Sequence, residues 1–217
     1  MLPQISFILS CLILNYCYPK VDAKLFTLSK KYGLLTAEKQ AYVIKNVLKS
    51  GYLCLIFIAC IYFVFPDLIK DRWNNTILQT FASMYVSNDI VGLYNVRLHT
   101  STRLHHVTCA VFLLGAWSAD FQHSTTAQML CIYTVFSAIT FPVNLYLGLR
   151  YIFEIEDPDM ISLKLVSKWV YVGCCVFNWL IQIYMGYMNH EIYLMAYYFG
   201  LIFIIYDDIV LLKWLFK

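Results

Sequence analysis

Long apolar runs separated by short polar segments dominate this chain of 217 residues. Runs of this kind are typical of helices that cross a membrane, because roughly 20 apolar residues span the hydrocarbon layer as a helix. The runs lie near residues 5–18, 51–66, 77–96, 104–118, 127–149, 166–188 and 192–212. We therefore predict an all-α, polytopic transmembrane bundle of about seven helices.

Composition supports a membrane environment. Hydrophobic residues make up 61% of the chain and charged residues only 13%, whereas globular domains carry about 25% charged residues. The spanning helices and their loops use almost the whole length, so we expect no separate soluble domain. We divide the chain into residues 1–33, an N-terminal membrane helix with a basic cytosolic linker, and residues 34–217, a transmembrane domain.

Positive charges between the runs predict the orientation, because cytoplasmic loops retain an excess of Lys and Arg. Only Lys70 and Arg72 fall on one side of the predicted bundle. The other side carries Lys20, Lys24, Lys30, Lys31, Lys39, Lys45, Lys49, Arg97, Arg103, Arg150, Lys164, Lys168, Lys213 and Lys217. This asymmetry favours a lumenal or external N-terminus and a cytosolic C-terminus.

Three features of the N-terminal half bear on this orientation. The first run could instead be a cleaved signal peptide, but it lacks a positively charged start and would place the lysines on the wrong side. The polar stretch 20–50 predicts a short amphipathic helix on the cytosolic surface. Asn74 begins an Asn-Asn-Thr glycosylation sequon on the predicted lumenal side, which agrees with the orientation.

Polar residues inside the runs converge on one depth. Ionisable groups in a membrane are costly and usually face a bundle interior or an aqueous cavity. With a rise of about 1.5 Å per residue, these groups lie within roughly 10 Å of the cytosolic boundary. They are Asp89, His105, His106, Asn144, Asp207 and Asp208. A polar cavity open to the cytosol is the resulting hypothesis.

The third run carries a stripe of small and polar residues. Asn88, Gly92, Asn95 and His99 would share one face if that helix continues to residue 99. Such a stripe either lines a cavity or holds two helices together, since Gly permits close approach and Asn hydrogen-bonds between helices. The spacing leaves both interpretations open.

The adjacent histidines are the residues that most strongly suggest chemistry. His105 or His106, oriented by Asp89, Asp207 or Asp208, could serve as a general base. A metal site is a second possibility, but the chain has only five histidines, and two of them, His123 and His190, fall on the lumenal side. A third interpretation is that the pair only anchors a helix at the interface. We predict neither a metal nor a cofactor.

The order of these features resembles the TLC-domain membrane proteins, a family that includes ceramide synthases and translocon-associated membrane proteins. The resemblance covers residues 34–217. Asn88-Asp89, then Leu104-His105-His106-Val107-Thr108, then Thr140-Phe141-Pro142-Val143-Asn144 resemble the family's landmarks. It implies a TLC-type core of six helices around a central lipid-accessible cavity.

The chain departs from the family at two places. Ceramide synthases carry a second His-Asp pair and a further acidic residue about 25 to 30 positions beyond their two histidines, an interval that reads Cys131-Ile132-Tyr133-Thr134-Val135-Phe136-Ser137 here. Many smaller members have a glutamate where this chain has Ala138. The resemblance therefore implies the fold more firmly than it implies acyl transfer.

Three functions follow from these observations. The first is a TLC protein that binds, senses or handles lipids, such as sphingolipids or fatty acyl chains, and influences membrane composition or sphingolipid metabolism. The second is an acyl-CoA-dependent N-acyltransferase in which a histidine deprotonates a sphingoid amine and Arg97 and Arg103 hold the phosphates of acyl-CoA, the co-substrate. The third is a cargo receptor or translocation accessory.

Other classes fit less well. A seven-helix receptor is disfavoured, because the chain has no long extracellular segment and no paired loop cysteines. Nucleic acid is not an expected partner, since the basic linker is better explained by topology. The endoplasmic reticulum is the expected membrane, with the plasma membrane and the Golgi as alternatives.

Candidate substrate-binding residues are Asn88, Asn95, His99, Arg97, Arg103, Asn144, Asp207 and Asp208.

Overall fold

Every regular element in the computed structural model, which describes residues 1–188 and 191–217, is an α-helix. The helices are α1 (Leu2–Leu28), α2 (Lys30–Gly33), α3 (Ala37–Phe63), α4 (Phe65–Leu68), α5 (Asn75–Asn95), α6 (Thr100–Ala116), α7 (Thr125–Ile139), α8 (Phe141–Leu149), α9 (Pro158–Tyr187) and α10 (Leu194–Leu215). The predicted all-α class is confirmed.

Four segments of the described chain are long and apolar enough to cross a membrane: Leu2–Leu28, Ala37–Leu68, Pro158–Tyr187 and Leu194–Leu215. A fifth arises if α7 and α8, bent by 41°, count as one span. These segments are compatible with an integral membrane protein. The remaining two predicted runs correspond to α5 and α6, which are not both long and apolar enough to be counted as spans. Helix α6 has only 17 residues, and polar side chains interrupt α5.

Outward faces of the long helices are apolar. Leu55, Ile61, Leu180, Ile183 and Phe199 are all exposed. Water would penalise so much exposed hydrocarbon, whereas lipid chains would not. The exposed surface therefore agrees with a membrane environment.

The polar stretch 20–50 does not form a separate surface helix, so that prediction was wrong. Its first part completes α1, and its last part forms the beginning of α3, which is one continuous helix from Ala37. The side chain of Thr36 caps the start of α3. Val43 and Ile44 are buried in a cluster with Leu25, Tyr32 and Ile152, which is separate from the cluster that holds Leu53 and Ile56. Packing against this second cluster extends the helix upstream of the apolar run.

The core lies between α3, α5, α6, α7 and α10, where Ile56, Val86, Leu113, Met129 and Leu201 are buried together. Helix α1 packs along α5 in the same direction. Near its start, Phe7 contacts Trp117, with ring centroids 6.0 Å apart. At the middle of α1, Asn15 Oδ1 accepts a hydrogen bond from the Asn95 side chain of α5 at 3.1 Å. Helix α1 is thus packed onto the rest of the bundle.

Helices α3 and α8 approach each other closely at Gly148. A Cβ atom there would lie 2.9 Å from Val47 Cγ2 and 3.2 Å from the Val43 carbonyl oxygen. Because any larger residue would push against backbone, the sequence requires glycine at this contact.

The bend between α7 and α8 occurs at Pro142, which lacks a backbone N–H. Hydroxyl groups from two neighbouring helices satisfy carbonyls at the bend. Ser50 Oγ of α3 donates to the Phe141 carbonyl at 2.9 Å, and Ser167 Oγ of α9 donates to the Pro142 carbonyl at 2.9 Å. The bend is therefore anchored on both sides.

Candidate functional site

A cavity of about 310 Å³ lies at one end of the bundle, between α3, α6, α7, α8, α9 and α10. Because successive long helices run in opposite directions, the starts of α3, α6 and α9 meet the ends of α8 and α10 there. We call it the polar cavity. Its polar and charged lining includes Lys45, Asn46, Lys49, Arg97, His99, His105, His106, Tyr133, Asn144, Arg150, Tyr171, Asp207 and Asp208.

Asp89 lies behind the wall of the polar cavity, fully buried on α5. Lys49 Nζ of α3 lies 2.8 Å from Asp89 Oδ1, and His106 Nε2 of α6 lies 3.3 Å from the same oxygen. A buried carboxylate is tolerated only when it is paired and hydrogen-bonded. Lys49 therefore supplies the charge and the hydrogen bond at Oδ1, where His106 also makes contact, whereas Oδ2 is buried without a hydrogen-bond partner in the described residues.

His105 faces a different carboxylate. Its Nδ1 lies 3.2 Å from Asp207 Oδ2 of α10, and the hydroxyl of Thr102 donates to Asp207 Oδ1 at 3.0 Å. The two histidine rings lie edge to face, with centroids 5.6 Å apart. Each histidine thus lies beside a different carboxylate, although Nδ1 of both rings is without a hydrogen-bond partner in the described residues. A carboxylate at such a position can orient an imidazole for proton transfer.

Asp208 contacts tyrosines rather than a histidine. The hydroxyl groups of Tyr133 and Tyr171 donate to its two oxygens, the second at 2.8 Å. Phenol donors from α7 and α9 therefore occupy one side of Asp208, which links three helices across the cavity.

The predicted stripe on the third run is broken in the structure. Helix α5 ends at Asn95, and His99 instead caps the start of α6, where its ring accepts from the Ser101 backbone N–H. Asn95 bonds Asn15 of α1, which is the helix-joining role rather than the cavity role. Asn88 is buried and does not line the polar cavity. An extended backbone at Val96 ends the helix and rotates His99 away from that face.

The remaining candidates divide between wall and surface. Asn144 and Arg97 line the polar cavity, and Arg97 also lies 3.9 Å from Glu38 at the surface. Arg103 is exposed and does not line the cavity. Asn74 is exposed at the start of α5, where its side-chain oxygen accepts from the Ile77 backbone N–H. The opposite end also carries His123, whereas His190 lies outside the described residues.

Sequence reasoning missed Lys45 and Lys49, which it used only as markers of topology. Both are buried against the polar cavity. Their spacing of four residues continues to Leu53 and, three further on, to Ile56, so extending the helical period upstream of the apolar run would have placed them on the buried face. Tyr133 and Tyr171 carried no comparable signal, because tyrosines are frequent throughout this chain.

One cluster has the residue types of a metal site. Asp89, His105 and Cys109 each bring a potential ligand atom within 4.8 Å of the others. The ammonium of Lys49 and the ring of His106 already contact Asp89, and the positive charge of Lys49 opposes a further cation. The ammonium beside Asp89 therefore disfavours a metal ion in this cluster.

A second, mainly apolar cavity of about 640 Å³ lies toward the other end of the bundle, between α6, α7 and α10. Phe112, Ala116, Leu130 and Tyr197 are among its lining residues. We call it the apolar cavity. A narrow space lined by these same four residues also contacts His105, Tyr85, Tyr133 and Ser137 of the polar cavity. The two cavities are therefore neighbours along the bundle axis.

No protein-family model, curated protein or solved structure matches this chain. The interpretation of the site therefore depends on its own residues and geometry.

Proposed function

We propose that this chain is a multi-pass membrane protein of TLC type that binds a membrane lipid with its headgroup in the polar cavity. Binding would let it sense or handle that lipid and so influence membrane lipid composition or sphingolipid metabolism. The observation that carries the proposal is a cavity lined by charged side chains within a bundle whose outer surface is hydrocarbon. Charged groups at such positions are costly and usually serve function.

The apolar cavity supports the same proposal. A lipid needs a polar space for its headgroup and an apolar space for its chain. The space of about 30 Å³ beside Phe112 and Tyr197 lies between the two cavities. A hydrocarbon chain that starts beside His105 would extend toward α7 and α10 once these two rings move aside. Apolar lining contributes roughly 25 cal/mol for each Å² of hydrocarbon that it covers.

We further propose that seven helices cross the membrane, with α5 and α6 completing the spans. The N-terminus is then lumenal or external, the C-terminus is cytosolic, and the polar cavity opens toward the cytosol. The endoplasmic reticulum is the proposed membrane. The lysine and arginine distribution supports the orientation.

Retention of lipid by the purified protein tests the main proposal. Asn144 lines the polar cavity, whereas its neighbour Leu145 does not. We expect native mass spectrometry to show bound lipid on the wild type and on Leu145→Phe, and much less on Asn144→Phe, because the added ring fills the cavity. Equal retention by all three proteins, or by none, would contradict the proposal.

Acyl transfer is the second candidate function, and the pairing of His105 with Asp207 favours it. That pair supplies from α10 a carboxylate that the interval 131–137 lacks. In such a reaction the imidazole would take the proton of a sphingoid amine as the nitrogen attacks the thioester carbonyl of acyl-CoA and the thiolate leaves. Asp207 would keep the ring oriented.

Incorporation of labelled acyl-CoA into a sphingoid base distinguishes the two functions. Membranes that contain the wild type are compared with membranes that contain His105→Ala/His106→Ala at matched expression. Product that disappears in the double variant would establish an acyltransferase. Product no higher than in empty membranes would leave lipid binding as the function.

A further inference from the structure

Both cationic and anionic side chains surround the polar cavity. Lys45, Lys49, Arg97 and Arg150 line it, whereas Asp207 and Asp208 line it and Asp89 lies behind its wall. The three carboxylates have partners within the protein: Lys49 and His106 for Asp89, His105 and Thr102 for Asp207, and two tyrosines for Asp208. Arg97 lies near Glu38 at the surface. Lys45 and Arg150 are therefore the cationic side chains of the lining that have no carboxylate within 4 Å in the described part of the chain.

Lys45 is the clearest unmatched group. Lys45 is only 8% exposed and lines the cavity. It forms no hydrogen bond or ion pair with any part of the chain that the structure describes. Its stem passes Gly92 of α5, where a Cβ would lie in van der Waals contact, 3.4 Å from Lys45 Cε and 3.7 Å from His106 Cε1. An ammonium enclosed this way, one helical turn from Lys49, is costly without a negative partner.

Arg150, at the end of α8, is a second unmatched donor. Its guanidinium lies over the rings of Trp214 and Tyr151, 4.1 Å and 4.7 Å from their centroids. One terminal nitrogen donates to the Tyr151 hydroxyl, while the buried Nε has no hydrogen-bond partner in the described residues. The rings hold the guanidinium in place, which lowers the entropy cost of binding an oxyanion.

We propose that the polar cavity binds a phosphate group carried by a lipid headgroup, as in phosphatidic acid, with Lys45 and Arg150 as its ligands. This inference rests on the proposed lipid-binding function and names the headgroup class. A phosphate monoester carries a charge of about −1.5 to −2 at neutral pH and three acceptor oxygens. It therefore matches separate ammonium and guanidinium donors better than a neutral headgroup does.

Competition among lipids in nanodiscs tests the headgroup. The discs contain equal amounts of phosphatidic acid and of diacylglycerol, which has the same chains without the phosphate. Native mass spectrometry should show that Lys45→Met lowers retained phosphatidic acid relative to diacylglycerol by about tenfold, the effect of one lost charge-assisted hydrogen bond. The variant should fold, because Lys45 makes no direct hydrogen bond or ion pair, in the described part of the chain, that the substitution would break.

Lys39→Met provides the matched control, since Lys39 lies exposed in the first turn of the same helix. An equal effect of both substitutions would show bulk attraction and overturn the inference. Equal retention of both lipids by the wild type would also overturn it while leaving lipid binding intact. Retention of neither lipid would instead contradict the proposed function.

Free phosphate is the other source of the same chemistry. Inorganic phosphate at millimolar concentration should neither displace phosphatidic acid from the wild type nor raise its melting temperature. Displacement together with a rise that Lys45→Met abolishes would assign the site to free phosphate and overturn the assignment to a lipid.

Discussion

At the scale of single residues, the site depends on which charges are matched inside the protein. Asp89 is held by one lysine and one histidine, and Asp207 is held by the other histidine. These pairs bring together side chains from α3, α5, α6 and α10. Removing one member of a buried pair costs more than the pair itself contributes, because the other charge stays behind.

We expect Lys49→Met to destabilise the protein by about 3–5 kcal/mol, the usual cost of leaving a buried charge unpaired. Unfolding in mixed detergent, followed by circular dichroism, measures the loss. The double variant Lys49→Met/Asp89→Leu should recover much of it. Lys39→Met, an exposed change of the same kind, serves as the control. A Lys49→Met protein as stable as the control would contradict the pairing.

Glu191 gives a pH-dependent prediction outside the spans. Burial raises its pKa, but hydrogen bonds from the hydroxyl groups of Thr126 and Ser124 and from the backbone N–H groups that open α7 outweigh burial and hold the pKa below its usual value of 4.5. The charged form is therefore the stabilised one. Its contribution is present above pH 4.5 and is lost as the pH falls through the lowered value.

Glu191→Gln should therefore lower the melting temperature at pH 7 and leave it nearly unchanged at pH 3. We expect a free-energy effect of at most about 1 kcal/mol at pH 7, since solvent screens this partly exposed group. Thermal scans of both proteins across this range measure it. A difference that grows toward low pH would contradict the assignment.

At the scale of helices, close contacts and bends decide how the elements meet. Gly148 lets α8 approach the backbone of α3, and Pro142 turns α8 away from the direction of α7. The contact and the bend together place Asn144 and Arg150 on the wall of the polar cavity. The geometry of the site thus depends on two residues that carry no charge.

Gly148→Ala should destabilise the bundle by about 1–3 kcal/mol, because the new methyl group overlaps Val47 and the Val43 carbonyl. Gly51→Ala is the matched control within α3, where a Cβ would meet nothing within 4 Å. It should leave stability unchanged or raise it slightly, since Ala favours helix more than Gly does. Thermal unfolding compares the two, and equal effects would show that the contact at Gly148 is not tight.

At the scale of the whole molecule, the bundle separates two chemically different ends. Helix α1 starts beside Trp117, which follows α6, and runs toward the polar cavity. Helix α10 ends at that cavity, where Trp214 contacts Arg150. The two termini therefore lie at opposite ends, and Asn74 lies at the N-terminal end.

We expect a tag at the N-terminus to be protected from protease in sealed vesicles, while a tag at the C-terminus is cleaved. Asn74 should be glycosylated on the protected side, and Asn74→Gln should abolish the resulting mobility shift. Protection of both tags, or cleavage of both, would contradict an odd number of crossings. It would also contradict the prediction that the polar residues lie at one depth near the cytosolic boundary.

Much of this architecture could be predicted from the order of residues. Apolar runs indicate helices because the period and length of a run are local properties, and each of the seven runs lies within or largely overlaps helical residues. The common level of Asp89, His105 and Asp207 along the bundle could be estimated in the same way, because a helix advances by a constant rise. Helix class and this common level were thus within reach of the sequence, whereas the depth of these residues in a membrane stays a prediction.

Only the tertiary structure decided which side chains meet. His105 and His106 are neighbours in the chain, yet one faces α10 and the other faces α5, because successive helical positions point about 100° apart. Lys45 lines the cavity because α3 begins upstream of its apolar run. His99 does not lie on the face of α5 because that helix ends at Asn95. Rotation and helix ends depend on packing between distant segments, which no local pattern contains.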